Sequence, residues 1–76
     1  MSRLPRPTGK EVVRFLERRG FSIVRVRGSH HYLGKGNIHV AVPVHGNRTL
    51  PIGTLLGILE DIGMSREEFM KLWQER

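Results

Sequence analysis

Seventy-six residues with no cysteine leave room for one domain and exclude disulfide staples and thiolate metal sites. No run of about 20 apolar residues exists, and Arg3 and Arg6 precede no apolar h-region, so neither a membrane span nor a signal peptide is expected and the protein is placed in the cytoplasm. Thirteen Lys and Arg against seven Asp and Glu give a net charge of +6, the balance of a polyanion binder or of a basic, well-solvated surface.

Residues 1–7, with Pro5 and Pro7, form an extended arm on a single domain that spans residues 1–76. Thr8 and Glu11 have the spacing of a capping box, in which hydroxyl and carboxylate each satisfy a backbone N–H. Val12, Val13, Phe15 and Leu16 follow at helical spacing, and Gly20 supplies the left-handed residue that ends a helix over residues 9–19. From Phe21 to Arg27 the chain is β-branched and alternating. Val24 and Val26 fall on one face, and Ile23, Arg25 and Arg27 on the other. Gly28-Ser29 suits a type II′ two-residue turn, so His30 to Leu33 returns as a second strand. Gly34-Lys35-Gly36-Asn37 turns again into a third strand, with Ile38, Val40, Val42 and Val44 on one face.

After the polar loop His45-Gly46-Asn47-Arg48, the residues Ile52, Leu55, Leu56, Ile58, Leu59 and Ile62 recur at steps of three and four, which predicts a second helix ended by Gly63. Ser65 and Glu68 open a short last helix with Phe69, Leu72 and Trp73 inward. The order is α-β-β-β-α-α, an α+β fold whose three-stranded antiparallel sheet has helices on one face and its other face open.

The turn at Gly28-Ser29 sets Arg27 opposite His30 and Arg25 opposite Tyr32. The open face then carries Ile23, Arg25, Arg27, His30, Tyr32 and His39, while His31 and Leu33 join Val26 and Val24 over the core. A one-residue slip would exchange His30 for His31. Charge concentrates on the same part of the chain. Residues 1–27 carry eight basic and two acidic side chains, residues 28–50 add Lys35 and Arg48 with no acid, and residues 51–76 are net acidic.

Four histidines are the groups able to do chemistry. An imidazole exchanges protons near neutral pH, and RNA offers a 2′-hydroxyl that attacks the adjacent phosphate once deprotonated. Guanidinium groups beside His30 would hold that phosphate and stabilise its added charge, while Tyr32 could stack on a base or donate to phosphate. By spacing alone, a surface histidine among arginines is more often only that. His30 and His31 point to opposite faces, and residues 28–50 contain no Asp or Glu, so no metal site is expected. A chain this short buries only about 60% of its unfolded surface, which favours a shallow site and no cofactor.

Three segments, read in order, resemble one known family: Arg-Arg-Gly-Phe (18–21); Arg-Gly-Ser-His-His-Tyr (27–32); and Val-Pro-Val-His-Gly-Asn-Arg (42–48), followed by Pro-Ile-Gly-Thr-Leu-Leu-Gly-Ile-Leu (51–59) and Gly-Met-Ser-Arg-Glu-Glu-Phe (63–69). The chain is similar to the HicA (YcfA-like) toxins over nearly its full length. The resemblance implies a fold like the double-stranded-RNA-binding domain, a metal-independent mRNA interferase activity, and a HicB-type antitoxin as partner. It implies His30 as the catalytic histidine, presented by the turn at Gly28 and Ser29; it assigns His45 a matching position but no role. Gly57 departs from what a helix prefers.

The expected mechanism places mRNA along the open face, with Arg25, Arg27, Ser29, Tyr32 and Lys35 as contacts. His30 acts as general base on a 2′-hydroxyl or as general acid to the leaving 5′-oxygen. Two other readings fit the same residues: a non-catalytic RNA-binding module, and a protein-interaction domain whose basic face meets an acidic antitoxin.

Overall fold

The computed structural model describes residues 3–75, so the first two residues of the expected arm and Arg76 lie outside it. Helix α1 spans Gly9–Arg18, followed by strands β1 (Ser22–Arg27), β2 (His30–Lys35) and β3 (Ile38–Pro43), then α2 (Ile52–Ile62) and α3 (Arg66–Glu75). The strands form one antiparallel meander in the order β1-β2-β3. The α-β-β-β-α order with an extra C-terminal helix agrees with the sequence expectation. Among the described residues, no helix is long and apolar enough to cross a membrane.

Local chemistry sets the helix ends. Thr8 N–H donates to Glu11 Oε1 at 2.9 Å and Glu11 N–H to Thr8 Oγ1 at 3.1 Å, the reciprocal pair that starts α1. Gly20, at φ 97°, and Gly63, at φ 72°, take the left-handed conformation that ends α1 and α2. Glu68 N–H donates to Ser65 Oγ at 3.1 Å ahead of α3. The N-terminal segment is pinned, because Pro7 is buried and its carbonyl accepts from Leu50 N–H at 2.8 Å.

The core lies between the sheet and the helices. Val12, Val13, Phe15 and Leu16 of α1 meet Leu33, Val40 and Val42 of the sheet and Leu55, Ile58 and Leu59 of α2. Phe69 and Trp73 of α3 close around Phe15, with ring centroids 5.2 and 5.7 Å from it. Burial of these aromatics contributes more than any polar contact in a domain this small.

The face assignment of β1 needs correction. Arg27 pairs with His30, Val26 with His31 and Arg25 with Tyr32, but Ile23 rather than Val24 pairs with Leu33. A β-bulge between Ile23 and Arg25 inserts one residue opposite Tyr32, and this reverses the alternation upstream. Ile23 therefore shares the core-side face with Leu33, and Val24 joins Arg25 on the open face. Val24 and Val26 are 63% and 53% exposed, so neither enters the core. An edge strand with no outer neighbour accommodates the extra residue without breaking a second ladder.

Candidate nucleic-acid interface

The tight turn positions the N-terminal end of β2. Gly28 has φ 58° and Ser29 a negative φ, the pattern of a type II′ turn. The Ser29 carbonyl accepts from Val44 N–H at 2.6 Å, so the turn is tied to the end of β3 as well as to β1. His30 is the next residue. It faces Arg27 on one side and Pro43 on the other, and its side chain is exposed.

Neither nitrogen of the His30 ring is hydrogen-bonded to protein among the described residues, so both face solvent or a ligand. Its ring stands over the open face beside Tyr32, with centroids 6.3 Å apart and planes inclined by 29°. The Arg25 guanidinium lies 4.9 Å from the centroid of the Tyr32 ring, a cation–π contact that holds the cation above the sheet. His30, Tyr32, Arg25 and Arg27 thus occupy one continuous patch: an exposed imidazole, an aromatic ring and two guanidinium groups.

Other expected site residues lie elsewhere. Lys35, at the far end of β2, donates from Nζ to the Arg19 carbonyl at 2.6 Å and sits 5.8 Å from the Phe21 ring centroid. Its charge is turned toward the C-terminus of α1 rather than toward the His30 patch. His31 is half-buried on the core side, and its Nδ1 is buried without a partner. His39 is exposed on the open face opposite Gly34, four residues along β2 from His30. At about 3.3 Å per residue that is roughly 13 Å, too far for both rings to serve one phosphodiester. His45 lines a groove of about 390 Å³ with Pro43, Arg48 and Thr54, at the His30 end of the sheet.

Among the described residues, no three His, Asp or Glu side chains converge as a metal-ligand set. The open face does contain a second feature, a groove beyond Tyr32 to which Val24 and Asp61 contribute. Neither residue was expected there. The small residues Gly34 and Ala41 at open-face positions were the visible signal of a recess, whereas the bulge and the packing of α2 were not.

Residues 9–64 match the family model described as HicA toxin of bacterial toxin-antitoxin. The chain belongs to the HicA toxin family. The match takes in α1, the whole sheet and α2, so both the open face and the His30 turn lie inside it. It makes the protein the toxin member of a toxin–antitoxin system, whose partner is an antitoxin. No curated protein matches the chain.

Proposed function

We propose that this HicA-family toxin is an endoribonuclease that cleaves messenger RNA. The reading is carried by His30, an exposed imidazole with no protein hydrogen bond at either ring nitrogen, set between Arg27 and Tyr32 on the open sheet face. Messenger RNA lies along that face. Arg25 and Arg27 neutralise its phosphates, Tyr32 stacks on a base, and the Ser29 turn approaches the backbone beside the cleaved bond. Lys35, held to Arg19, belongs to the fold rather than to the phosphate contacts.

His30 takes the proton of a 2′-hydroxyl, and the resulting oxygen attacks the neighbouring phosphorus. The bond to the 5′-oxygen breaks, and that oxygen takes a proton from solvent. One strand ends in a 2′,3′-cyclic phosphate and the other in a 5′-hydroxyl. The nucleophile comes from the substrate itself, so the step requires a base and charge stabilisation but no metal-activated water. General base catalysis contributes about 10²–10⁴-fold. The guanidinium groups act where negative charge builds on the phosphorane oxygens. Loss of messenger RNA in the cytoplasm arrests translation and growth until an antitoxin of the HicB type covers the toxin.

The test compares wild type with His30→Ala on a plain messenger RNA in the presence of a chelator, with growth followed in induced cells. Cleavage and growth arrest that both disappear in a folded variant support the reading. Products with 5′-phosphate ends would overturn the 2′-hydroxyl mechanism. Equal activity in the two proteins would move the chemistry away from His30, and salt-sensitive binding without cleavage would leave an RNA-binding module.

A further inference from the structure

The open face does not end at Tyr32. Beyond that ring the paired positions are small, with Ala41 opposite Tyr32 and Gly34 opposite His39. The result is a groove of about 510 Å³ whose lining includes Val24, Arg25, Tyr32, His39, Ala41 and Asp61. The bulge in β1 turns Val24 into its wall. The His39 ring leans across Gly34: a Cβ there would stand 3.3 Å from His39 Cδ2 and 3.7 Å from Val24 Cγ1. The recess therefore depends on the absence of a side chain at Gly34.

Its chemistry is that of a slot for a flat, polar-edged ring. A phenol and an imidazole supply faces for stacking, Val24 and Ala41 supply apolar contact, and Arg25 supplies positive charge beside the slot. Asp61, in the last turn of α2, is the one acidic group that lines it. A carboxylate would repel a phosphate, so it does not serve the RNA backbone. It suits the donor edge of a base, because its two oxygens accept two neighbouring N–H bonds. Among the four bases only guanine presents two adjacent donors, N1–H and N2–H, on its Watson–Crick edge.

We propose that this groove is a nucleobase pocket that selects guanine in single-stranded RNA, with Asp61 as the residue that determines specificity. The proposal rests on the reading of the open face as an RNA surface, and it adds a sequence preference to it. The pocket runs from Tyr32, whose ring centroid is 6.3 Å from that of His30, to His39, roughly 13 Å from His30 along the sheet. The base it holds is therefore displaced along the strand from the bond that is cut, and guanine marks a fixed offset from the cleavage site.

Cut positions in a random-sequence RNA pool, mapped for wild type, Asp61→Asn and Gly34→Ala, test it. Wild type should show guanine enriched at one fixed offset. Asp61→Asn, which replaces one of the two acceptor oxygens by a donor amide at an exposed position, should lower that preference about tenfold, the discrimination a bidentate base contact provides. Gly34→Ala, which pushes the His39 ring, should flatten the profile as well. Cleavage without base preference, or an Asp61→Asn profile equal to that of wild type, overturns the pocket while leaving the nuclease reading intact. If wild type does not cut the pool, the nuclease reading fails and binding decides the pocket. Oligonucleotides of equal length with guanine, adenine, cytosine or uracil at one position are then titrated while His39 and Asp61 resonances are followed by NMR. Tighter binding of the guanine strand with shifts at both residues supports the pocket, and equal affinity for all four overturns it.

Discussion

Lys35 Nζ donates to the Arg19 carbonyl at 2.6 Å, which ties the end of β2 to the C-terminal turn of α1 across sixteen residues of sequence. The ammonium meets a carbonyl that the helix itself leaves unsatisfied, at the end where the helix dipole favours positive charge. Lys35→Met keeps an unbranched apolar side chain and removes the ammonium that donates to Arg19 and lies over the Phe21 ring. We expect it to lower stability by about 1 kcal/mol in urea melts, with RNA affinity reduced by less than in Arg25→Ala. Arg25→Ala should do the reverse, leaving the melt nearly unchanged while the slope of log affinity against log salt falls by about 1. If the two variants exchange these effects, the assignment of Lys35 to the fold is wrong.

His31 stands where the sheet's core side would accept an apolar residue. It pairs with Val26 and Val42, and its buried Nδ1 has no hydrogen-bond partner. A polar atom removed from water without a partner costs roughly 1–3 kcal/mol. His31→Leu removes that atom and retains most of the volume. We expect a rise of about 1 kcal/mol in unfolding free energy by chemical denaturation. A drop in stability would show that His31 makes a polar contact in solution.

Two glycines in helices should respond in opposite directions. Gly57 is exposed within α2, and nothing lies within 4 Å of a Cβ added there. Gly57→Ala should therefore stabilise the protein by about 1 kcal/mol through helix propensity alone. Gly9, at the start of α1, abuts the end of β3, where an added Cβ would collide with the Pro43 carbonyl. Gly9→Ala should cost about 1–3 kcal/mol as overpacking. Because Pro43 pairs with His30, the shift should also perturb the His30 resonances. Thermal melts of the two variants with the same sign of change would contradict the packing described.

The Tyr32 ring meets both His30 and the Arg25 guanidinium, so its ring rather than its hydroxyl is the feature the neighbours use. Tyr32→Phe should bind single-stranded RNA within a few-fold of wild type. Tyr32→Ala should lose roughly 1–3 kcal/mol of binding, the range measured when a stacked aromatic is truncated. Filter-binding titrations at one salt concentration distinguish the two, and equal losses would assign the role to the hydroxyl instead.

Much of this architecture is legible in short stretches of sequence. Thr8 and Glu11 are three residues apart, and Gly20 and Gly63 follow the last periodic residue of their helices, so the helix boundaries are set by neighbours along the chain. The Gly28-Ser29 turn likewise sets the pairing of Arg27 with His30 and of Arg25 with Tyr32 without reference to the rest of the fold. Alternation misplaced Ile23 and Val24 because a bulge is a property of the pair of strands, not of one. Nothing in the residues Ser22 to Arg27 marks which of them goes unpaired.

Element order, helix ends and the turn that presents His30 are local properties of the chain, since each depends on backbone preferences and hydrogen bonds spanning a few residues. That Lys35 meets Arg19, that Gly9 abuts Pro43, and that Val24 and Asp61 line one groove is settled by packing between elements. Those contacts join residues far apart in the chain, and they exist only once burial of a shared apolar core has brought α1, α2 and the sheet to fixed positions.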